Sequence, residues 1–353
     1  MPDISVLRPL GYSPRWQTLF EPHAAQGLAP ARVVRGDRGS LVVVTPDGVV
    51  RAKLSARLLK SASSAADLPA VGDWVAVLVF DDLDAPLIEA VLERSNAITR
   101  GDPGNTSDVQ VLAANIDTVF VVHPIAEPPN LRRIERELSV AWDSGAVPVV
   151  VLTKADLSAD PDTAGAAVES VALGADVIAT SALAGDGIQP LLEYISDHRT
   201  AVLVGPSGAG KSTLINSLLG KERQVTREVR VSDGRGMHTT VTRELIQMPG
   251  GGMLIDTPGL RAFGLRGSED GIASVFPEIG QASRSCRFRD CTHSDEPGCA
   301  VRAAVESGTL PSERLDSYHK LMGEAQFATA KADVRLRTEK NRKGNSVHKM
   351  GRD

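Results

Sequence analysis

The stretch that most constrains this chain is Gly205-Pro206-Ser207-Gly208-Ala209-Gly210-Lys211-Ser212-Thr213. It follows the apolar run Ala201-Val202-Leu203-Val204 and precedes the helix-prone Leu214-Ile215-Asn216-Ser217-Leu218-Leu219. Strand, glycine-rich loop and helix, in that order, are the context of a phosphate-binding loop. Backbone N–H groups in such a loop turn inward around phosphates, and the helix N-terminus adds partial positive charge. Lys211 is expected to reach the β- and γ-phosphates, and Ser212 to ligate Mg²⁺. A chance glycine-rich turn would not bring loop, lysine, hydroxyl and both flanking elements together.

A phosphate loop does not name the base. After residue 213 the chain offers no base-reading segment, but upstream stands Val149-Val150-Val151-Leu152-Thr153-Lys154-Ala155-Asp156. This is a buried-type strand entering a Thr-Lys-x-Asp turn similar to the Asn-Lys-x-Asp guanine motif. Thr180-Ser181-Ala182, after the strand-like Ala175 to Ala179, reads as a second guanine-contacting loop. Downstream, Met253-Leu254-Ile255-Asp256-Thr257-Pro258-Gly259 supplies an Asp-x-x-Gly motif, Asp256 to Gly259, at a strand end. The parts of a GTPase are present in rotated order.

At 353 residues the chain calls for two or three domains. Its 42% hydrophobic and 24% charged residues are ordinary for a globular protein. No run approaches the roughly 20 apolar residues of a membrane span, and no signal-peptide pattern opens the chain. A cytoplasmic location, no membrane partner and a monomer are expected. The net charge of −5 gives no global hint of nucleic-acid binding.

In chain order, residues 1–30 hold Pro9, Pro14, Pro22 and Pro30 and read as an irregular leader with a short helix. Five short β-type runs follow, Ala31–Arg35, Leu41–Thr45, Val49–Leu54, Val71–Phe80 and Leu87–Leu92, with a Pro46-Asp47-Gly48 hairpin signal. They predict a small closed barrel, of which the OB-fold is the commonest oligonucleotide-binding form. Arg32, Arg35, Arg38, Arg51, Lys53 and Arg57 have few aromatics among them, so the stacking signal is weak and a spacer role stays open. Polar, turn-rich residues 96–108 read as a linker. Beyond, strands and helices alternate through residue 204, which implies a mostly parallel, doubly wound sheet with ligands at the strands' carboxyl ends. Gln224 to Thr240 lacks apolar periodicity, as a mobile switch would.

All three cysteines lie in Cys286-x4-Cys291-x-His293-x5-Cys299. Three thiolates and an imidazole complete a tetrahedral Zn²⁺ shell with no position left for water, so one structural zinc per chain is expected. Leu310–Met322 and Ala325–Leu336 read as helices. The end turns basic, with Lys331, Arg335, Arg337, Lys340, Arg342, Lys343, Lys349 and Arg352 against Asp333, Glu339 and Asp353. A solvated tail and a phosphate-contacting extension both fit that composition.

Together these residues resemble the RsgA (YjeQ/EngC) family of circularly permuted GTPases. The resemblance is carried also by Pro69-Ala70-Val71-Gly72-Asp73-Trp74-Val75, Gln110 to Asp117, Gly236-Met237-His238-Thr239-Thr240 and Asp256 to Leu265. It implies an α/β fold: a circularly permuted P-loop GTPase domain with an N-terminal OB-fold β-barrel and a C-terminal zinc-binding, mostly helical domain. The expected parts are leader 1–30, barrel 31–95, linker 96–108, GTPase domain 109–265, zinc-binding domain 266–325, and basic helix and tail 326–353. The implied role is late maturation of the small ribosomal subunit, with the subunit and its rRNA as partners and GTP hydrolysis promoting release. Family members usually carry Asn where Thr153 stands, a departure that bears on affinity more than on base choice. Base choice rests on Asp156, whose carboxylate accepts from guanine N1–H and the 2-amino group, donors that adenine lacks.

Ras-like GTPases place a water-orienting glutamine after the Asp-x-x-Gly motif, but here the position is Leu260, which cannot hydrogen-bond. The resemblance points instead to His238 as the catalytic group, with a bland surface histidine as the other reading. Thr240 would join Ser212 on Mg²⁺, and Asp256 would hold the ion through water. A GTP-gated RNA-binding scaffold with incidental hydrolysis remains as an alternative. A small-molecule kinase is disfavoured by the Thr-Lys-x-Asp segment and by the lack of acceptor-site carboxylates. In the rotated order the second switch runs almost directly into the zinc region, so a shift at the γ-phosphate would act on it over a short lever.

Overall fold

Five N-terminal strands close on one another: β1 (Ala29–Asp37), β2 (Ser40–Thr45), β3 (Gly48–Leu54), β4 (Trp74–Leu78) and β5 (Leu87–Val91). This is seen in a computed structural model that describes residues 3–37, 39–79, 85–101, 109–220, 243–256 and 269–330. β1 pairs with β2 and β4, β2 with β3, and β5 lies parallel to β3 and antiparallel to β4. That closed order is the OB-fold barrel. Alternate residues point inward, and Val33, Val43, Ala52, Val75, Val77 and Ile88 fill the interior.

The leader contains the expected short helix and is otherwise more ordered than expected. A 3₁₀ helix over Ile4–Leu10 and helix α1 (Pro14–Ala24) bury Leu7, Leu10, Trp16 and Phe20. Tyr12 meets Trp74 of the barrel edge-to-face and Trp16 lies tilted against it, at ring-centroid distances of 5.0 and 5.9 Å. Pro14 opens α1, where its missing N–H costs nothing, so proline there marks a helix start rather than a break. A second short helix, α2 (Ala56–Ser61), follows β3.

Arg32 also departs from expectation. It is buried rather than presented for contact with a partner. Its guanidinium donates to Gly72 O, Thr200 Oγ1 and Leu10 O, tying barrel, central sheet and leader together. Burial pulls it down to about 10, against the pull of Asp117 and Asp73. Arg35 and Arg51 in turn flank Asp37 at 3.2 and 2.8 Å.

The 96–108 stretch, expected as a linker, contains a strand. β6 (Ala97–Gly101) pairs antiparallel with β7 (Val109–Ala114), burying Ile98 against the main core. Its apolar content is a single Ala-Ile pair, too short to signal a strand until β7 supplies the partner.

The central sheet is built from β8 (Thr118–Pro124), β9 (Val147–Thr153), β10 (Asp176–Ala179), β11 (Thr200–Val204), β12 (Glu244–Gln247) and β13 (Met253–Asp256). Their order is β10-β9-β8-β11-β13-β12, parallel except for β12, whose far edge meets β1 at Arg35 and Glu244. The continuous Val-rich runs of β8, β9 and β11 suit strands buried on both faces. On one face Val119, Val121, Val150, Leu152, Val202 and Val204 pack with Ile134 and Leu138 of α3 (Leu131–Asp143) and Val168 of α4 (Pro161–Glu169). On the other, Phe120, Val122, Val149, Val151 and Leu203 pack under α5 (Ile188–Glu193) and α6 (Lys211–Leu219).

The C-terminal helices are α7 (Glu269–Val275), α8 (Pro277–Ser283), α9 (Ala300–Glu306) and α10 (residues 312–330), the last running through 323–324 without the expected break. They seat on α3. A Cβ at Gly271 of α7 would lie 2.1 Å from Ser139 O, so only glycine permits this approach. Arg314 of α10, itself buried, donates to Glu135 on α3 at 2.6 Å, to Glu278 on α8 at 2.7 Å and to Val275 O at 2.8 Å. Among the described residues, no helix is long and apolar enough to cross a membrane.

Candidate nucleotide site and Cys/His centre

The loop Gly205–Thr213 leaves β11 at the carboxyl edge of the sheet and enters α6. Gly205 has φ +140°, and a Cβ there would stand 2.1 Å from Val122 O, so the loop folds this tightly against β8 only with glycine. Lys211 Nζ donates to Gly205 O at 2.8 Å and Pro206 O at 2.7 Å, which carries its ammonium back across the loop. The Ser212 side of the helix N-terminus is exposed. Asp256 ends β13, one residue beyond Ile255, which pairs with Val202 of β11. It therefore sits beside the strand that feeds the loop.

Thr153 ends β9, Lys154 and Asp156 follow it, and Ser181 and Ala182 follow β10, so the folded sheet brings both upstream loops to the same edge. Lys154 adopts a left-handed φ of +59°, turning the chain sharply into Ala155–Leu157. Ala155 N–H donates to Thr180 O at 3.1 Å, and Ser181 and Asp186 exchange two backbone bonds at 3.1 Å. Asp156 is exposed at the rim, whereas Ser181 is buried. Thr153 is buried too, and its hydroxyl donates to Ala209 O at 2.6 Å, with His123 O at 3.3 Å as the longer neighbour. One hydroxyl thus joins the Thr-Lys-x-Asp turn to the glycine-rich loop.

At the C-terminal side, Cys286, Cys291, His293 and Cys299 bring their four donor atoms within 4.8 Å of one another. Cys286 Sγ lies 4.0 Å from Cys299 Sγ, and His293 Nδ1 lies 3.7 and 3.5 Å from those sulfurs. A tetrahedral zinc shell with Zn–S bonds of about 2.3 Å has S–S edges of about 3.8 Å, so the donor set fits Zn²⁺ in kind and spacing. Backbone N–H groups of Ala300 and Arg302 donate to Cys286 Sγ and Cys299 Sγ and help hold the two sulfurs in place. The intervening turn is organised by Glu296, which accepts from Thr292 and Ser294; those hydrogen bonds, Thr292 foremost, hold its carboxyl down at about 2.

The family model for RsgA GTPase matches residues 91–266. The chain is also 47% identical over 338 residues to the small ribosomal subunit biogenesis GTPase RsgA of Streptomyces coelicolor, covering 95% of this chain and 91% of that protein. The chain belongs to the RsgA GTPase family. The protein of the same name from Syntrophotalea carbinolica is 40% identical, with 98% and 97% of the two chains covered. The solved structure of YjeQ from Thermotoga maritima superposes with a TM-score of 0.62 at 28% identity, over 84% of this chain and 98% of that one. YloQ, described as a circularly permuted GTPase, shares the fold with a TM-score of 0.60 at 24% identity, over 85% and 95% of the two chains.

In this RsgA-family GTPase the folded chain gathers Thr153, Lys154, Asp156, Ser181, Ala182, Gly205–Thr213 and Asp256 on one sheet edge. His238, Thr240, Gly259 and Leu260 lie outside the described residues, as does the basic tail 331–353. One buried cluster left no trace in sequence. His123, at the end of β8, contacts Glu137 of α3 at 2.8 Å, and Arg133 donates to the same carboxylate at 3.0 Å. This cluster backs the strand end whose carbonyl neighbours Thr153. The residues are separated along the chain, and only packing α3 on the sheet unites them.

Proposed function

We propose that this GTPase acts on the small ribosomal subunit late in its maturation, in the cytoplasm, and that hydrolysis of GTP promotes its release. The observation that carries the nucleotide assignment is the Thr153 hydroxyl bonded to Ala209 O: it supports a single composite site formed by two segments that are distant in sequence. In this reading Asp156 accepts from guanine N1–H and the 2-amino group, and Ser181 and Ala182 close the base from the other side. The backbone of Gly205–Thr213 binds the phosphates, and Lys211 moves its ammonium from the loop carbonyls to the β- and γ-oxygens.

Ser212 offers a hard hydroxyl oxygen at the helix start, where Mg²⁺ would be held together with Thr240 and, through water, Asp256. Held there, Mg²⁺ would supply positive charge against the charge that builds on the phosphates. His238 orients the attacking water, because Leu260 has no hydrogen-bonding group. Zn²⁺ on Cys286, Cys291, His293 and Cys299 would be structural, since all four positions are filled by protein. The parts then divide as a leader, barrel, permuted GTPase domain and zinc module.

The test is GTP turnover by the parent and by His238→Ala, with and without purified small subunits. Strong stimulation of the parent, lost in the variant while nucleotide affinity is unchanged, is expected. Tight subunit binding without stimulation would favour a GTP-gated scaffold, and indifference to subunits would refute the ribosomal role.

A further inference from the structure

The short turn between the first two cysteines, Arg287-Phe288-Arg289-Asp290, lies outside both the nucleotide site and the metal donor set. Phe288 is 42% exposed, so its ring keeps surface open to solvent. Arg284, Arg287 and Arg289 are exposed beside it, and among the described residues none of the three pairs with a carboxylate. Three of the five arginines in residues 269–330 thus fall within six positions, although that region is rich in acids. The Arg287 guanidinium lies 5.4 Å from the Phe288 ring centroid, and its backbone is pinned by a bond to Gly298 O at 3.1 Å. The turn is bounded by Cys286 and Cys291, so its conformation is set before any partner arrives.

We propose that this knuckle is a stacking platform for an unpaired RNA strand: the Phe288 ring receives one base, and Arg287 and Arg289 grip the flanking phosphates. The inference rests on the ribosomal reading above and deepens it by naming the contacted form of RNA. An exposed ring has a face that any base can cover, and planar guanidinium forks suit phosphate oxygens. A duplex offers neither a free base face nor the same backbone spacing.

The test uses the full zinc-loaded chain with a short fluorescein-labelled oligouridine and an RNA hairpin of duplex form, titrated by anisotropy over a range of salt. Phe288→Leu should weaken oligouridine binding about 5- to 150-fold, the loss expected for one base–aromatic stack, with the salt slope unchanged. Phe288→Trp should retain binding. Arg287→Gln and Arg289→Gln should each reduce the slope of log affinity against log salt by about 0.7, the value for one phosphate contact on a single strand. Unaltered oligouridine affinity in Phe288→Leu, equal loss in Phe288→Trp, or a preference for the hairpin would overturn the proposal. Zinc content and basal GTP turnover, measured on each variant, should match the parent. If small subunits stimulate the parent while Phe288→Leu binds oligouridine normally, stacking falls and the ribosomal reading stands. If subunits do not stimulate the parent, the ribosomal reading itself falls.

Discussion

Replacing Thr153 with valine tests whether one buried hydroxyl assembles the nucleotide site. The side chains are nearly isosteric, so the change removes a donor and little else. The Thr153 hydroxyl stands 2.6 Å from Ala209 O, whereas a methyl carbon comes no closer to a carbonyl oxygen than about 3.3 Å. The glycine-rich loop must therefore retreat by roughly 0.7 Å from the turn that carries Asp156, by difference of those two distances. Its carbonyl also loses a buried partner, a deficit of about 1–3 kcal/mol. Free protein can relax the loop, but bound nucleotide needs both segments in register, so the deficit should appear in affinity. Thr153→Val should raise the dissociation constant for a fluorescent GDP analogue roughly 5- to 150-fold. Thr153→Ser keeps the hydroxyl and should stay within about threefold of the parent, a difference of less than 1 kcal/mol. If Thr153→Val binds as tightly as the parent, the bridge does not position the loops and the reasoning fails.

Two further outcomes follow, one from the nucleotide site and one from the Cys/His centre. Asp156→Asn should weaken GTP binding and favour xanthosine triphosphate, whose 2-oxo group accepts where guanine donates; undiminished GTP binding in a competition titration would sink the assignment. Elemental analysis should find one zinc per chain, and Cys291→Ser should release it, lowering the melting temperature of the C-terminal region while nucleotide affinity stays close to the parent's. A metal-free preparation with an unchanged melting profile would refute the centre.

Much of this protein is written in short stretches. The glycine-rich loop, the Thr-Lys-x-Asp turn and the Asp-x-x-Gly strand end are legible because each is a local device of spacing and backbone freedom. Alternation of apolar runs likewise gave the barrel strands and the doubly wound sheet, and the rotated order of the motifs already implied the permutation. The cysteine and histidine spacing named a donor set for the same reason: ligands close in sequence are close in space.

What only the folded chain decided involves partners far apart. The Thr153–Ala209 bond spans 56 residues, and Arg314 reaches Glu135 across 179. In composition Arg32 looked like a surface cation, yet it is the buried tie among leader, barrel and sheet. The leader looked broken by prolines until Trp16 and Phe20 found a surface to cover, and Ala97–Gly101 became a strand only when β7 lay beside it. Local propensity depends on a few neighbouring dihedrals. Burial, pairing and charge satisfaction depend on which distant surface arrives, and that is settled by packing the whole chain at once.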